Sequence, residues 1–406
     1  MWQGVARGIV SGASIVIVLA WVCADALAQT GQLLSFSQSD IRRIRSLGPW
    51  PPNLPPDPSN RVSGKPAAIE LGERLFFSAA LSGNGSMHCA SCHVPARTWT
   101  DGRARGSGLS ELDRNTPTLE NLRLQRWYGW DGANDTLWAQ SIRPLLDQRE
   151  MHSSVAAVAR TVRQDAQLAS MYAKTFGRLP GAGDERVLVN VGKALAAFQE
   201  TIVSARSPFD AFRDALVAGD LVSAARYPEA AQRGLTLFIG RGNCIACHAG
   251  PAFSNGEFHE IGIGYFITGS GVDSGRHGGI ARLRSTRLNL LGPYNDDRSR
   301  KAAIGTRHLR EQQRNFGEFR TPGLRNVVLT APYMHNGSLA TLCDVVNHYS
   351  ELNEERLHAD GERILKPLRL IADEKNDLVA FLESLTGVGR GAAPAERPAA
   401  CGATVR

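Results

Sequence analysis

The sequence predicts a mostly α-helical fold of two fused domains of one kind, with a long interdomain loop. Three observations predict it. The pattern Cys-x-x-Cys-His occurs twice in the 406 residues, at Cys89–His93 and at Cys244–His248. An apolar stripe precedes each copy: Ile69, Leu71, Leu75 and Phe76 before the first, and Gly234-Leu235-Thr236-Leu237-Phe238 before the second. The repeat of about 160 residues is too long for a solenoid and suits two domains.

Cys-x-x-Cys-His is the attachment site of c-type haem. The thiols of Cys89, Cys92, Cys244 and Cys247 add to the vinyl groups of two covalently bound haems. His93 and His248 turn their imidazoles onto the irons as proximal ligands. A redox Cys-x-x-Cys pair has no use for the following His and needs a βαβ context that is missing here. A zinc site would need a second Cys-x-x-Cys or a His pair nearby. Each domain is therefore expected to be cytochrome c-like, its haem replacing much of the ordinary core.

Along the chain, Arg7 and the apolar run from Ile9 to Val22 precede the small-x-small site Ala26-Leu27-Ala28. Residues 1–28 read as a signal peptide, which implies export to the periplasm and no membrane attachment after cleavage. Residues 29–65 form a lead-in whose stretch from Gly48 to Ser59 is Pro-rich and extended. The first haem domain spans 66–225. Within it, Ser153–Phe176 and Glu185–Ser204 have helical periodicity, with Val187, Val191, Leu195 and Phe198 on one face. The second spans 226–390. It holds an Arg- and Gly-rich stretch from Gly262 to Arg314, read as a solvated loop with a partner-docking loop as the alternative, and a last helix near Asp373–Leu385 ended by Gly387. Residues 391–406 read as a disordered tail. Cys343 and Cys401 remain outside the haem motifs, paired or free. The net charge of +7 favours an acidic protein partner, and nothing resembles a nucleic-acid motif.

An electron carrier needs two axial ligands on each iron, whereas a peroxide enzyme needs one iron with an open sixth position. Between His93 and Thr136 there is no His and no Met. The first haem is thus expected to keep an open face. Tyr128-Gly129-Trp130-Asp131-Gly132 is followed by Gln140, Pro144 and Glu150. With Arg114-Asn115-Thr116-Pro117-Thr118, Phe319–Val327 and Thr330–Gly337, these motifs make the chain similar to the bacterial dihaem cytochrome c peroxidase/MauG family, from about Pro66 to Leu385.

The resemblance implies that Trp130 relays electrons between the haems. It implies that Gln140 and Glu150 lie over the open iron, with Glu150 moving a proton, and that Pro144 fills the apolar distal place. Asn115, Thr330 and Pro332 match an interhaem calcium site, the last two through backbone oxygens. Fourteen residues beyond His335, the family's sixth ligand to the second haem falls on Tyr349. Tyr marks the MauG branch and Met the peroxidases. Without the family Met334 is the natural ligand, and His348 and His335 are further alternatives.

Two positions depart from the pattern: Ala133 replaces an Arg, and Gly242 stands where MauG has a surface Trp. Trp99, Trp127 and Trp138 are candidate alternative relays. The expected function is a periplasmic MauG-like enzyme using hydrogen peroxide to oxidise an aromatic residue of a partner protein. The alternatives are a peroxidase fed by a small electron-transfer protein, and a dihaem electron carrier.

Overall fold

A computed structural model describes residues 31–177, 183–264, 266–267, 271–355 and 360–387, with Met1 and Cys401. Beyond Met1, the expected signal peptide lies outside the described residues. The first helix among the described residues, α1 (Gln38–Ser46), lies within the lead-in and opens with a capping box between Ser37 and Asp40. Its Ile44, with Leu47, is buried in the core around the second haem motif. The stretch 48–59 that follows has no helix or strand, as its prolines dictate.

Helices α2 (Pro66–Phe76), α3 (Leu137–Leu146), α4 (Val155–Gln164), α5 (Ala166–Phe176) and α6 (Asp184–Gln199) surround the first motif. Pro66 sits at the first helical position of α2, where its missing N–H costs nothing. Sequence periodicity assigned α6 one apolar face. Instead every residue from Val187 to Gln199 is buried, because α2, α3 and α4 all pack against it. Helices α7 (Pro208–Ala218), α8 (Glu229–Ile239), α9 (Arg276–Ser285), α10 (Leu342–Ser350) and α11 (Ala372–Glu383) follow. Phe209, Phe212 and Leu216 of α7 belong to the second core, ahead of the expected changeover at 225/226.

The internal repeat has a structural counterpart in two matched helix crossings. At Gly72, α2 meets α6 so closely that a Cβ would strike the Ala194 carbonyl and Phe198 Cβ. At Gly234, α8 meets α11, where a Cβ would strike the Asp377 carbonyl and Phe381 Cβ. Only glycine permits either approach. The last described helix ends at Glu383 with Ser384 as its C-cap; Gly387 instead donates its N–H to Asn326 Oδ1 at 2.8 Å.

Two short antiparallel ladders complete the described elements. One joins β1 (Phe258–His259) to β4 (Phe319–Arg320), pairing Phe258 with Arg320. The other joins β2 (Phe266–Ile267) to β3 (Gly271–Val272). The Arg-rich stretch is not simply a solvated loop, because α9 buries Arg276, Gly279, Ile280 and Leu283. Cys343 and Cys401 form a disulfide. Of the expected tail only Cys401 is described, and it is buried and bridged; the rest lies outside the described residues.

Candidate functional site: two haem motifs and the seam between them

Cys89–Cys92 form a single helical turn that hands the chain to His93. The His93 Nδ1–H donates to the carbonyl of Trp99 at 3.0 Å. In the second motif the His248 Nδ1–H donates to the carbonyl of Phe253 at 2.9 Å. Both bonds fix the tautomer with Nε2 as the free lone pair, as iron ligation requires. Burial lowers the pKa of both imidazoles, that of His248 to about 4, so both stay neutral. Burial also pushes the Cys89 and Cys244 thiols up to about 12 and Cys92 to about 11. Neutral thiols beside an oriented imidazole, twice over, fit two c-type haems.

On the first side, Thr136 caps α3 by accepting from Ala139 N–H. Gln140 lies on this helix, and its Oε1 accepts from Asn134 Nδ2 at 2.8 Å, leaving its own amide N–H groups to donate elsewhere. Pro144 falls within the last turn, where its carbonyl accepts from Met151 N–H at 3.1 Å. Glu150 is paired with Arg143 at 2.6 Å. Burial nevertheless raises its carboxyl above the usual range, outweighing Arg143. Its charge in turn helps raise the thiols of Cys89 and Cys92, so Glu150 stands beside the first motif. The Arg143 pairing was not foreseen, because Glu150 lies beyond the helix end and no helical spacing relates the two.

On the second side, burial raises the Tyr349 phenol, and the charges of Cys244 and Cys247 add to the effect. Tyr349 thus sits on α10 beside the second motif. The other three candidates are engaged differently. The His348 Nε2–H donates to the Ile261 carbonyl at 2.7 Å. His335 is buried, stacks on Phe319 with ring centroids 3.5 Å apart, and is driven to a pKa of about 3 by that burial. Met334 occupies a left-handed turn at φ 73°, its carbonyl accepting from Gly337 N–H at 3.2 Å.

Trp130 lies in the seam, packed on Phe319. Its Nε1–H donates to the carbonyl of Asn115 at 2.9 Å, and its own carbonyl accepts from Arg320 N–H at 2.8 Å. The neighbouring Asp131 is buried, which would raise its pKa, but Arg114 and Arg282 hold the carboxyl far below its usual range. Arg114 bonds Asp131 at 2.7 Å and Asp273 at 2.6 Å. Arg276 donates to the Gly132 carbonyl at 2.8 Å and lies 3.9 Å from the Phe258 ring and 4.5 Å from the Trp127 ring. A cation therefore stands beside Ala133 after all, supplied from a helix 140 and more residues away in sequence. That placement leaves no local signal in the chain.

Asn115 is joined to the 330–337 segment by its N–H, which donates to the His335 carbonyl at 2.7 Å. Its side-chain Nδ2 donates to the Arg103 carbonyl at 2.8 Å. None of the described hydrogen bonds joins Asn115 to Thr330 or Pro332.

A side chain at Gly242 would meet the Leu237 carbonyl 2.7 Å from its Cβ, so this backbone does not accept a Trp there. Trp99 packs edge-on to Phe76, and Trp138 is buried with Nε1 on Ser59 Oγ at 3.2 Å. Trp127 is 4% exposed, and its buried Nε1 has no hydrogen-bond partner.

A family model described as di-haem cytochrome c peroxidase matches residues 66–216. The chain is 33% identical over 382 residues to methylamine utilization protein MauG of Methylorubrum extorquens, covering 91% of this chain and 95% of that one. It is 32% identical over 386 residues to cytochrome-c peroxidase IdrP1 of Denitromonas iodatirespirans, covering 92% of each. A solved MauG-like protein associated with microbial copper homeostasis has a TM-score of 0.62 and 29% identity, over 84% of this chain and 96% of that one.

Proposed function

Since the chain belongs to the di-haem cytochrome c peroxidase/MauG family, whose members are haem-dependent oxidoreductases that use peroxide, we propose that it is a periplasmic enzyme of the MauG kind. It would oxidise an aromatic side chain of a partner protein by long-range electron transfer. The observation that supports this most is the burial of the Tyr349 phenol within reach of the Cys244 and Cys247 charges.

The bound haems supply the redox chemistry, taking two oxidising equivalents from peroxide. The residues around them do the rest. Glu150, its carboxyl raised above the usual range by burial, is the group that can hand a proton to a peroxide oxygen beside Cys89 and Cys92. Gln140, its Oε1 already occupied, presents an N–H donor to the same space. Pro144 offers no N–H, which suits the apolar distal place. Trp130 bridges the seam between the motifs and is held by two hydrogen bonds, to Asn115 and from Arg320. Asn115 keeps Oδ1 for an interhaem calcium, to which Thr330 and Pro332 would add carbonyl oxygens.

Gly242 favours one element of the peroxidase reading. Without a surface Trp there, electrons must pass elsewhere, and a small donor protein could supply them. Stopped-flow addition of peroxide to the fully oxidised protein, without reductant, separates the readings. A long-lived species changing both haem spectra is the expected result. A protein inert until one haem is reduced would overturn the MauG assignment in favour of the peroxidase.

A further inference from the structure

Residues 276–314 contain ten Lys and Arg against three Asp and Glu, a surplus of seven that equals the formal +7 of the whole chain. Everything outside this segment therefore balances to zero. Arg284, Arg298, Arg300, Arg307 and Arg310 are exposed, and among the described residues no carboxylate pairs with them. Isolated exposed cations are commonplace, and solubility alone explains them. Confinement of the entire surplus to one segment is different, and the inner side of this segment gives it a use.

That inner side grips the loop bearing Trp130. Gly279 of α9 lies against the Asp131 carbonyl, where a Cβ could not fit. Arg276 and Arg282 bond to Gly132 and Asp131. Asp135, at the far end of the loop, accepts from Leu290 N–H at 3.0 Å and from Thr306 Oγ1 at 2.7 Å. The segment thus holds the Trp130 loop through buried contacts while those five arginines stay exposed to solvent.

We propose that residues 276–314 form the docking face for an acidic redox protein, which exchanges electrons with the Trp130 loop directly beneath. The proposal rests on the peroxide-using function above. Each encounter takes one electron from the partner. Two encounters, with two protons, complete the reduction of one peroxide to two waters. Positive potential over this face would steer an acidic partner and make the association rate fall with salt.

The test compares wild type with the triple variant Arg284→Glu/Arg307→Glu/Arg310→Glu in the holoenzyme with peroxide. The probes are plastocyanin, an acidic copper protein, and hydroquinone, a small neutral donor. The expected result is a loss of about tenfold in plastocyanin oxidation at low ionic strength and a flattened salt dependence, with hydroquinone oxidation unchanged. If the triple Glu variant does not fold, the triple Gln variant should show the same pattern with a smaller loss. Unchanged plastocyanin kinetics and salt slope overturn the proposal. So does loss of binding to duplex DNA or anionic vesicles with plastocyanin kinetics intact. Failure of wild type to oxidise hydroquinone would instead remove the functional reading on which the proposal rests.

Discussion

The indole Nε1–H of Trp130 donates to the backbone carbonyl of Asn115 at 2.9 Å, and Asn115 N–H donates onward to the carbonyl of His335 at 2.7 Å. A single chain of hydrogen bonds thus runs from the Trp130 loop to the segment that precedes Tyr349. Trp130→Phe removes its first bond and the most easily oxidised ring in the seam. The variant should react with peroxide at the wild-type rate while spectral changes at the second haem lag by about tenfold or more. Simultaneous changes at both haems in stopped-flow traces would rule out the relay.

Tyr349→Phe keeps the ring and deletes the oxygen. The spectrum of the second haem should change in the resting enzyme, because the proposed sixth ligand is gone. Met334→Leu should leave that spectrum alone and cost under about 1.5 kcal/mol, as volume-conserving apolar swaps do. An altered spectrum in the Met334 variant, with none in the Tyr349 variant, would exchange the two assignments.

Glu150→Gln keeps the shape and removes the transferable proton. Peroxide activation should slow by about 10²-fold or more, the scale of general acid–base catalysis. Gln also cannot form the ion pair that Glu150 makes with Arg143 at 2.6 Å. Arg143→Gln therefore serves as the control: it breaks the same pair and should slow activation far less. Equal losses in the two variants would reduce Glu150 to a structural partner of Arg143.

What was legible in the chain was whatever depends on near neighbours. The haem motifs and the stripes at Leu71–Phe76 and Leu235–Phe238 act over a few residues, so their pattern survives in one dimension. Gln140, Glu150 and Tyr349 were placed only by resemblance, since neither an open iron nor a sixth ligand has a local signature. Burial of α6 on every side, docking of α1 on the second core and the cation of Arg276 beside Ala133 arise from contacts between distant segments. No periodicity encodes them. The Cys343–Cys401 bridge was open for the same reason, because two leftover thiols state no distance.

Glu120 provides a pH test of the seam. Its carboxylate accepts from Asn326 Nδ2 at 2.7 Å, and burial lifts its pKa from 4.5 to about 7. A carboxyl raised in the fold favours folding below pH 4.5, and this contribution is lost as pH rises to about 7. Glu120→Gln cannot titrate. Relative to wild type its Tm should gain between pH 5 and pH 8, and a pH-independent difference would show that Glu120 does not titrate in this window.

Arg325 should be the costliest side chain to remove outside the haem sites. It forms a bidentate pair with Asp210 at 2.8 Å, both side chains 1% exposed, while its Nε–H donates to the Pro251 carbonyl at 2.6 Å and its guanidinium lies 3.6 Å from the Trp50 ring. Burial alone would raise the Asp210 carboxyl, but Arg325 pulls it below its usual range. That stabilisation is present above pH 3.8 and is lost as pH falls through the lowered folded value. Arg325→Leu strands a buried carboxylate and should destabilise by about 3–5 kcal/mol at neutral pH. Asp210→Leu combined with Arg325→Leu removes both charges and should recover most of that loss, since an apolar replacement of a buried pair is often neutral. Denaturation of the two variants decides it: if the double variant is no more stable than the single, the cost lies in the contacts to Pro251 and Trp50. The second haem would then feel it, because Pro251 lies two residues before Phe253, whose carbonyl orients His248.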